Sequence, residues 1–218
     1  MQKVLLVVAK QPVPGSVKTR LGDLFSAEVK AEFYRCLILD TLALMERVPD
    51  AVRGVVYTPE EAAGYFRALA PGFELHPQRG ADLGERLGNA FADFLGRGYA
   101  RVVVMDSDSP TLPAAYLERA FALLEESDVV LGPCEDGGYY LVGAKAAHPE
   151  LFLGMKMSTP TVFAETAARA EAARLKLAVL PAWYDVDFAD DVQRLRADLY
   201  NDGREASHTA EFLRRHQR

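Results

Sequence analysis

The chain has 218 residues, half of them hydrophobic, enough for one domain with a sizeable core and too few for a string of modules. Lys and Arg number 25 against 31 Asp and Glu, a formal net charge of −6. This excludes a basic nucleic-acid binder and gives no overall attraction to anionic membranes. The cysteines, Cys36 and Cys134, are too few for a disulfide framework or a four-cysteine zinc site, and are expected reduced and buried.

Residues 3–8 form an almost unbroken apolar run and predict a strand buried on both faces. The apolar stretch is too short to span a bilayer or to serve as a secretory core, so a cytoplasmic protein is expected. Ser26 predicts the cap of a helix reaching about Val48, with Phe33 and Leu37, and Tyr34, Ile38, Leu42 and Met45, supplying its apolar stripes. Strands follow at 52–57 and 73–76, separated by a helix over 60–69.

Asp82 and Glu85 give an Asp-x-x-Glu capping signal for a helix bearing Leu83, Leu87, Phe91 and Leu95. A strand at 101–105, a helix at 114–126 and strands at 128–131 and 139–143 come next. A helix over 161–173, a strand over 175–180 and helical patterns toward the end complete the pass. The basic end, Arg214 to Arg218, reads as a frayed, solvated terminus. Such alternation predicts an α/β fold in a single domain over 1–218, with a mostly parallel, Rossmann-like sheet and helices on both faces. Ligands of such sheets bind beyond the carboxyl ends of the strands.

Several polar clusters fall just after predicted strand ends. The first holds Lys10, Pro12, Pro14, Gly15, Lys18 and Arg20. Glycine admits close backbone approach, prolines pre-set the loop and the cations suit phosphate, although an ordinary solvated loop has the same composition. It is neither a Walker A motif nor G-x-G-x-x-G. The second, Asp106-Ser107-Asp108-Ser109-Pro110-Thr111, offers hard oxygen ligands for Mg2+ or Mn2+, or a turn capped by its own aspartates. A haloacid-dehalogenase phosphatase motif is displaced in both spacing and chain position. The third, Asp185-Val186-Asp187, puts both carboxylates on one side if extended, where they could complete a metal site with Asp106; helix capping is the alternative. Asp136-Gly137-Gly138-Tyr139 and the loop Gln78 to Arg86 complete the set, each also readable as a plain turn or cap.

In this order the clusters resemble the GT-A-type nucleotide-diphospho-sugar transferase superfamily. Within it, the chain closely resembles the DUF2064 family of bacterial glycosyltransferase-like proteins, and more distantly the phospholactate and molybdenum-cofactor guanylyltransferases. The carrying residues are Ala9, Lys10, Pro12, Pro14, Gly15 and Lys18 to Leu21; Gln78, Gly80 and Asp82 to Arg86; Asp106 to Leu112; Gly132, Pro133 and Asp136 to Leu141; and Asp185 to Asp187. Two positions depart from the family pattern: Met157 stands where it has Trp before Ser158 and Thr159, and Phe188 where it often has Thr.

The resemblance implies that Lys18 and Arg20 bind phosphates. Asp106 and Asp187 would hold a divalent metal, Mg2+ or Mn2+, with Asp185 assisting and Asp108 as a further ligand. Lys10, Gly15, Leu83, Gly84 and Arg86 would frame the nucleotide, and Gly137, Gly138, Tyr139, Ser158 and Thr159 would face the acceptor. The expected partners are an NTP or NDP-sugar and a small-molecule acceptor, with no nucleic acid and no membrane. The cation-rich first loop favours nucleotidyl transfer from an NTP to a phosphorylated acceptor with pyrophosphate release. Glycosyl transfer from an NDP-sugar, with Asp136 or Asp187 as base, and a non-catalytic nucleotide-binding module are the alternatives.

Overall fold

The computed structural model describes residues 2–201 and 205–216. In chain order it contains β1 (Lys3–Lys10), a 3-10 helix (Thr19–Leu24), α1 (Ala27–Glu46), β2 (Ala51–Thr58), α2 (Ala63–Leu69), β3 (Glu74–Pro77), α3 (Leu83–Gly96), β4 (Arg101–Met105), α4 (Ala114–Glu126), β5 (Val129–Pro133), β6 (Tyr139–Ala144), α5 (Val162–Ala172), β7 (Leu177–Val179), α6 (Ala189–Asn201) and α7 (Ser207–Arg215). The strands make one sheet in the order β3-β2-β1-β4-β6-β5-β7. All neighbours pair in parallel except β6, which runs antiparallel to both β4 and β5.

The central strand β1 shows why the sheet is covered on both sides. Leu5 and Val7 join a core with Phe33 and Leu37 of α1, Phe121 of α4 and Phe212 of α7. Val4 and Leu6, pointing the other way, join Phe91 and Phe94 of α3 and Val102 and Val104 of β4. Each fully buried side chain of this kind is worth about 1.5–3 kcal/mol.

Local signals place the helices. The Ser26 hydroxyl accepts from the Val29 amide at the start of α1. At α3, Asp82 accepts from the Glu85 amide while Glu85 accepts from the Ala81 amide, one residue before the usual capping-box partner. The expected frayed terminus is packed as far as His216: its ring stacks on Phe212, its carbonyl accepts from Arg196, and Arg215 pairs with Glu32. Gln217 and Arg218 lie outside the described residues. Cys36 and Cys134 are buried and unbridged. No helix among the described residues is long and apolar enough to cross a membrane.

Candidate active site

Because β6 runs backwards, its first residues lie beside the last residues of β4 and β5. Met105 pairs with Leu141, and the Asp106 amide donates to the Tyr140 carbonyl at 2.9 Å. The 183–187 segment then crosses this edge. The Trp183 amide donates to the Pro133 carbonyl, the Glu135 amide to Trp183, and the Val186 amide to Asp108. Three chain segments distant in sequence thereby bring Asp106, Asp108, Asp136, Asp185 and Asp187 to one cleft. Its other walls are apolar, with Leu83 and Leu87 of α3, Val8, Val142, Met157 and Val162, and carry the hydroxyls of Ser158 and Thr159.

The carboxylates divide into two groups. Lys18, whose side chain is 3% exposed, places its Nζ 2.7 Å from Asp108 Oδ1 and 3.0 Å from Asp187 Oδ1. It also donates to the Val186 carbonyl at 2.7 Å. Arg20 Nη1 meets Asp187 Oδ2 at 2.8 Å. Burial would raise the Asp187 pKa, but Lys18 and Arg20 outweigh it and hold that carboxyl below the usual range.

Asp106 and Asp185 have no cation among the described residues. Burial first, and then the charges of Asp108 and Asp185, push the Asp106 pKa well up. Burial and the nearby Asp136, Asp187 and Asp108 raise Asp185 to about 7. Asp106 Oδ1 accepts from the Asp108 amide and Oδ2 from the Ser109 hydroxyl. Two half-buried acids without a counter-ion, each raised by burial and by neighbouring carboxylates, offer donors that a hard divalent cation would relieve. Cys134 Sγ lies in the same place, with ligand atoms of Cys134, Asp136 and Asp185 all within 4.8 Å of one another.

The Lys18 ammonium is held by protein oxygens of Asp108, Asp187 and Val186. Of the expected metal ligands, Asp187 and Asp108 pair with cations, while Asp106 and Asp185 do not.

The remaining predicted residues fall into three sets. Arg20, Leu83, Gly138, Tyr139, Ser158 and Thr159 line the cleft. Lys10 and Gly15 sit on the adjoining loop, where Lys10 Nζ donates to the Ser16 carbonyl and Gly15 takes φ +77° with open space around it. Gly84, Arg86 and Gly137 pack within the walls. A Cβ at Gly84 would stand 2.5 Å from the Phe152 carbonyl, Arg86 Nε donates to the Gly80 carbonyl, and Gly137 lies against the Pro160 backbone. Sequence reasoning missed Tyr34, whose helical spacing reads as core. Its hydroxyl joins the Lys10 amide at 3.2 Å to Ser107 Oγ at 2.8 Å, and its ring lies under Lys18. It also missed Cys134, which nothing in its local sequence sets apart from an ordinary buried thiol.

Comparison with known proteins adds a context. A family model described as an uncharacterised protein conserved in bacteria, DUF2064, matches residues 41–159. A 3-phospho-D-glycerate guanylyltransferase of Phenylobacterium zucineum (strain HLK1) is 33% identical over 136 residues; the match covers 61% of this chain and 62% of that relative. A 2-phospho-L-lactate guanylyltransferase of Methanothermobacter thermautotrophicus is 25% identical, covering 91% of this chain and 84% of the relative. A crystal structure from Desulfovibrio desulfuricans G20, provisionally described as a nucleotide-diphospho-sugar transferase, superposes with a TM-score of 0.91 at 34% identity, covering 100% of this chain and 96% of that one. The α/β architecture read from the sequence is therefore that of the nucleotide-diphospho-sugar transferases.

Proposed function

The chain belongs to the DUF2064 family of proteins conserved in bacteria, and we propose that it is a metal-dependent transferase that moves a nucleotidyl group from a nucleoside triphosphate to a small phosphorylated acceptor. The observation that carries this reading is the pair of half-buried carboxylates without a cation partner, Asp106 and Asp185, set in a cleft beside Arg20 and the loop of Lys10 and Gly15. Nucleotidyl transfer needs positioning and charge stabilisation and no protein nucleophile. The guanylyltransferases among the relatives lend it support.

An acceptor phosphate oxygen forms the new bond to the α-phosphorus. The bond from that phosphorus to the bridging oxygen breaks, and its electron pair leaves with pyrophosphate. Asp106 and Asp185 are the residues that would hold Mg2+ or Mn2+, which when bound supplies charge neutralisation for the phosphate oxygens. Arg20, with its side chain 49% exposed, would reach phosphate from the cleft edge, and Lys18 would remain as the partner of Asp187. The apolar wall of Leu83, Leu87 and Met157 excludes water from one side of the cleft. Ser158 and Thr159 offer hydroxyls to the acceptor.

A second reading, glycosyl transfer from an NDP-sugar, is favoured by the excess of carboxylates lining the cleft, of which Asp136 is exposed and available as a base. One experiment separates the two. The chain is incubated with each ribonucleoside triphosphate and 3-phosphoglycerate or phospholactate, and with nucleotide sugars, each with and without Mg2+ or Mn2+. Metal-dependent pyrophosphate release that requires the phosphorylated acceptor supports nucleotidyl transfer. Release of a nucleoside diphosphate from a nucleotide sugar supports glycosyl transfer. Stabilisation by nucleotide without turnover of either kind identifies a binding module.

A further inference from the structure

Cys134 is 7% exposed, yet it lines the cleft, and its thiol makes no hydrogen bond to a described residue. An ordinary buried thiol packs among apolar atoms. This one faces carboxylates: Cys134 Sγ and one oxygen each of Asp136 and Asp185 lie within 4.8 Å of one another. The backbone fixes the meeting. Cys134 bridges Trp183 in parallel, the Glu135 amide donates to the Trp183 carbonyl at 3.0 Å, and the Trp183 amide donates to the Pro133 carbonyl at 3.0 Å. Tyr184 and Val186 are then buried, so Asp185 between them turns to the cleft. On the other strand the Gly137 amide closes a turn on the Cys134 carbonyl at 3.1 Å. That turn carries Asp136, whose Oδ1 accepts from the Gly138 amide at 2.8 Å.

We propose that Cys134, Asp136 and Asp185 form a site for one thiophilic divalent cation, of the Zn2+, Cd2+ or Co2+ class, with Cys134 Sγ as its distinguishing ligand. Around a tetrahedral ion of this class the sulfur and oxygen ligands stand about 3.3–3.6 Å apart, so the three groups draw in by at most about 1.5 Å. The exposed Asp136 side chain has the freedom to do so. Three protein ligands leave a fourth position for water. On binding, the S–H bond gives way to a sulfur–metal bond and the proton goes to solvent. Sulfur adds little to the binding of Mg2+, so the thiol gives this corner of the cleft a preference that carboxylates alone lack. The ion stands in the cleft itself, since all three residues line it. The inference needs neither nucleotide nor turnover, and is independent of the transfer reading.

The test is a titration of the full, reduced chain with Co2+ alone, read by the sulfur-to-cobalt charge-transfer absorption in the near ultraviolet. The band is expected to saturate at one ion per chain, to vanish when Zn2+ is added and to survive the same concentration of Mg2+. The chain has two cysteines, so the assignment is direct: Cys36→Ser keeps the band and Cys134→Ser loses it. No band in the wild type, a band that survives Cys134→Ser, or one lost in Cys36→Ser with wild-type circular dichroism overturns the site. Co2+ retained in equilibrium dialysis without the band makes the carboxylates its ligands and overturns the role given to the thiol. Should Cys134→Ser fail to fold, Asp136→Asn decides, because Asp136 is exposed. A loss of Co2+ affinity of about tenfold or more supports the site, and affinity within about threefold of wild type overturns it.

Discussion

A Cβ placed on Gly137 would run into the carbonyl oxygen of Pro160, and the residue takes φ +90°. The Gly137 carbonyl in turn accepts from the Phe163 amide at 3.0 Å in the first turn of α5. The Asp136 turn and the loop carrying Ser158 and Thr159 are therefore seated backbone to backbone. Gly137→Ala meets both a collision and an unfavourable φ, so it should cost about 1–3 kcal/mol and loosen the cleft wall. Gly15 has a similar φ with nothing within 4 Å, so Gly15→Ala should cost only about 1 kcal/mol. Urea unfolding of the two variants reads the difference, and equal losses would show that the Pro160 contact carries no weight.

The raised pKa of Asp185 makes a signed prediction about stability without metal. Burial and the neighbouring carboxylates push its carboxyl up to about 7 in the folded chain, from an ordinary 3.8. Between those pH values the native state holds a proton that the unfolded state has lost, so stability falls as pH rises through that window. Asp185→Asn should flatten this decline and unfold at a higher temperature than the wild type at pH 8 in chelator. The same titration makes divalent-ion affinity rise with pH through about 7. Thermal scans at pH 5 and pH 8, with and without Mn2+, check both.

Asp106→Asn keeps the shape of the side chain and removes its charge. If the cleft transfers a nucleotidyl group, pyrophosphate release should fall by a factor of at least about 100, as expected when transition-state charge loses a principal stabiliser. Thermal stability in chelator should hold or rise, because a half-buried acid disfavoured by desolvation and repelled by Asp108 and Asp185 has been neutralised. Turnover at the wild-type rate would remove Asp106 from the reaction.

Tyr34→Phe tests a contact that lies outside the acid cluster. The hydroxyl joins the end of β1 to the turn after β4, through the Lys10 amide and Ser107 Oγ. Its loss should cost about 1–3 kcal/mol, because Ser107 is buried and is left without this partner. Chemical denaturation measures it, and an unchanged midpoint would mean that water takes over both groups.

Most of the sheet is legible in the sequence because its strands are short apolar runs bounded by turn residues; 101–105 matches β4 residue for residue. The reversed direction of β6 is not, since periodicity carries no sign for strand direction. The acid cluster is legible as a set because each member follows a strand end. Its partition is not. Lys18 and Asp187 are 169 positions apart, and which carboxylate a buried cation chooses depends on how two loops meet. Likewise, a glycine that faces a substrate and one that faces the Pro160 carbonyl look alike in sequence.

Asp40 illustrates the same long-range logic away from the cleft. From the middle of α1, its carboxylate accepts from the His208 and Thr209 amides at 3.0 and 2.8 Å, satisfying the first turn of α7. With nine residues, α7 is too short to persist as a helix alone in water. It borrows its cap from the surface it rests on, so coiling and docking are one event. The result is a latch that exists as a latch only when shut: parting it from α1 dissolves the helix, and hydrogen exchange at these two amides would time the opening.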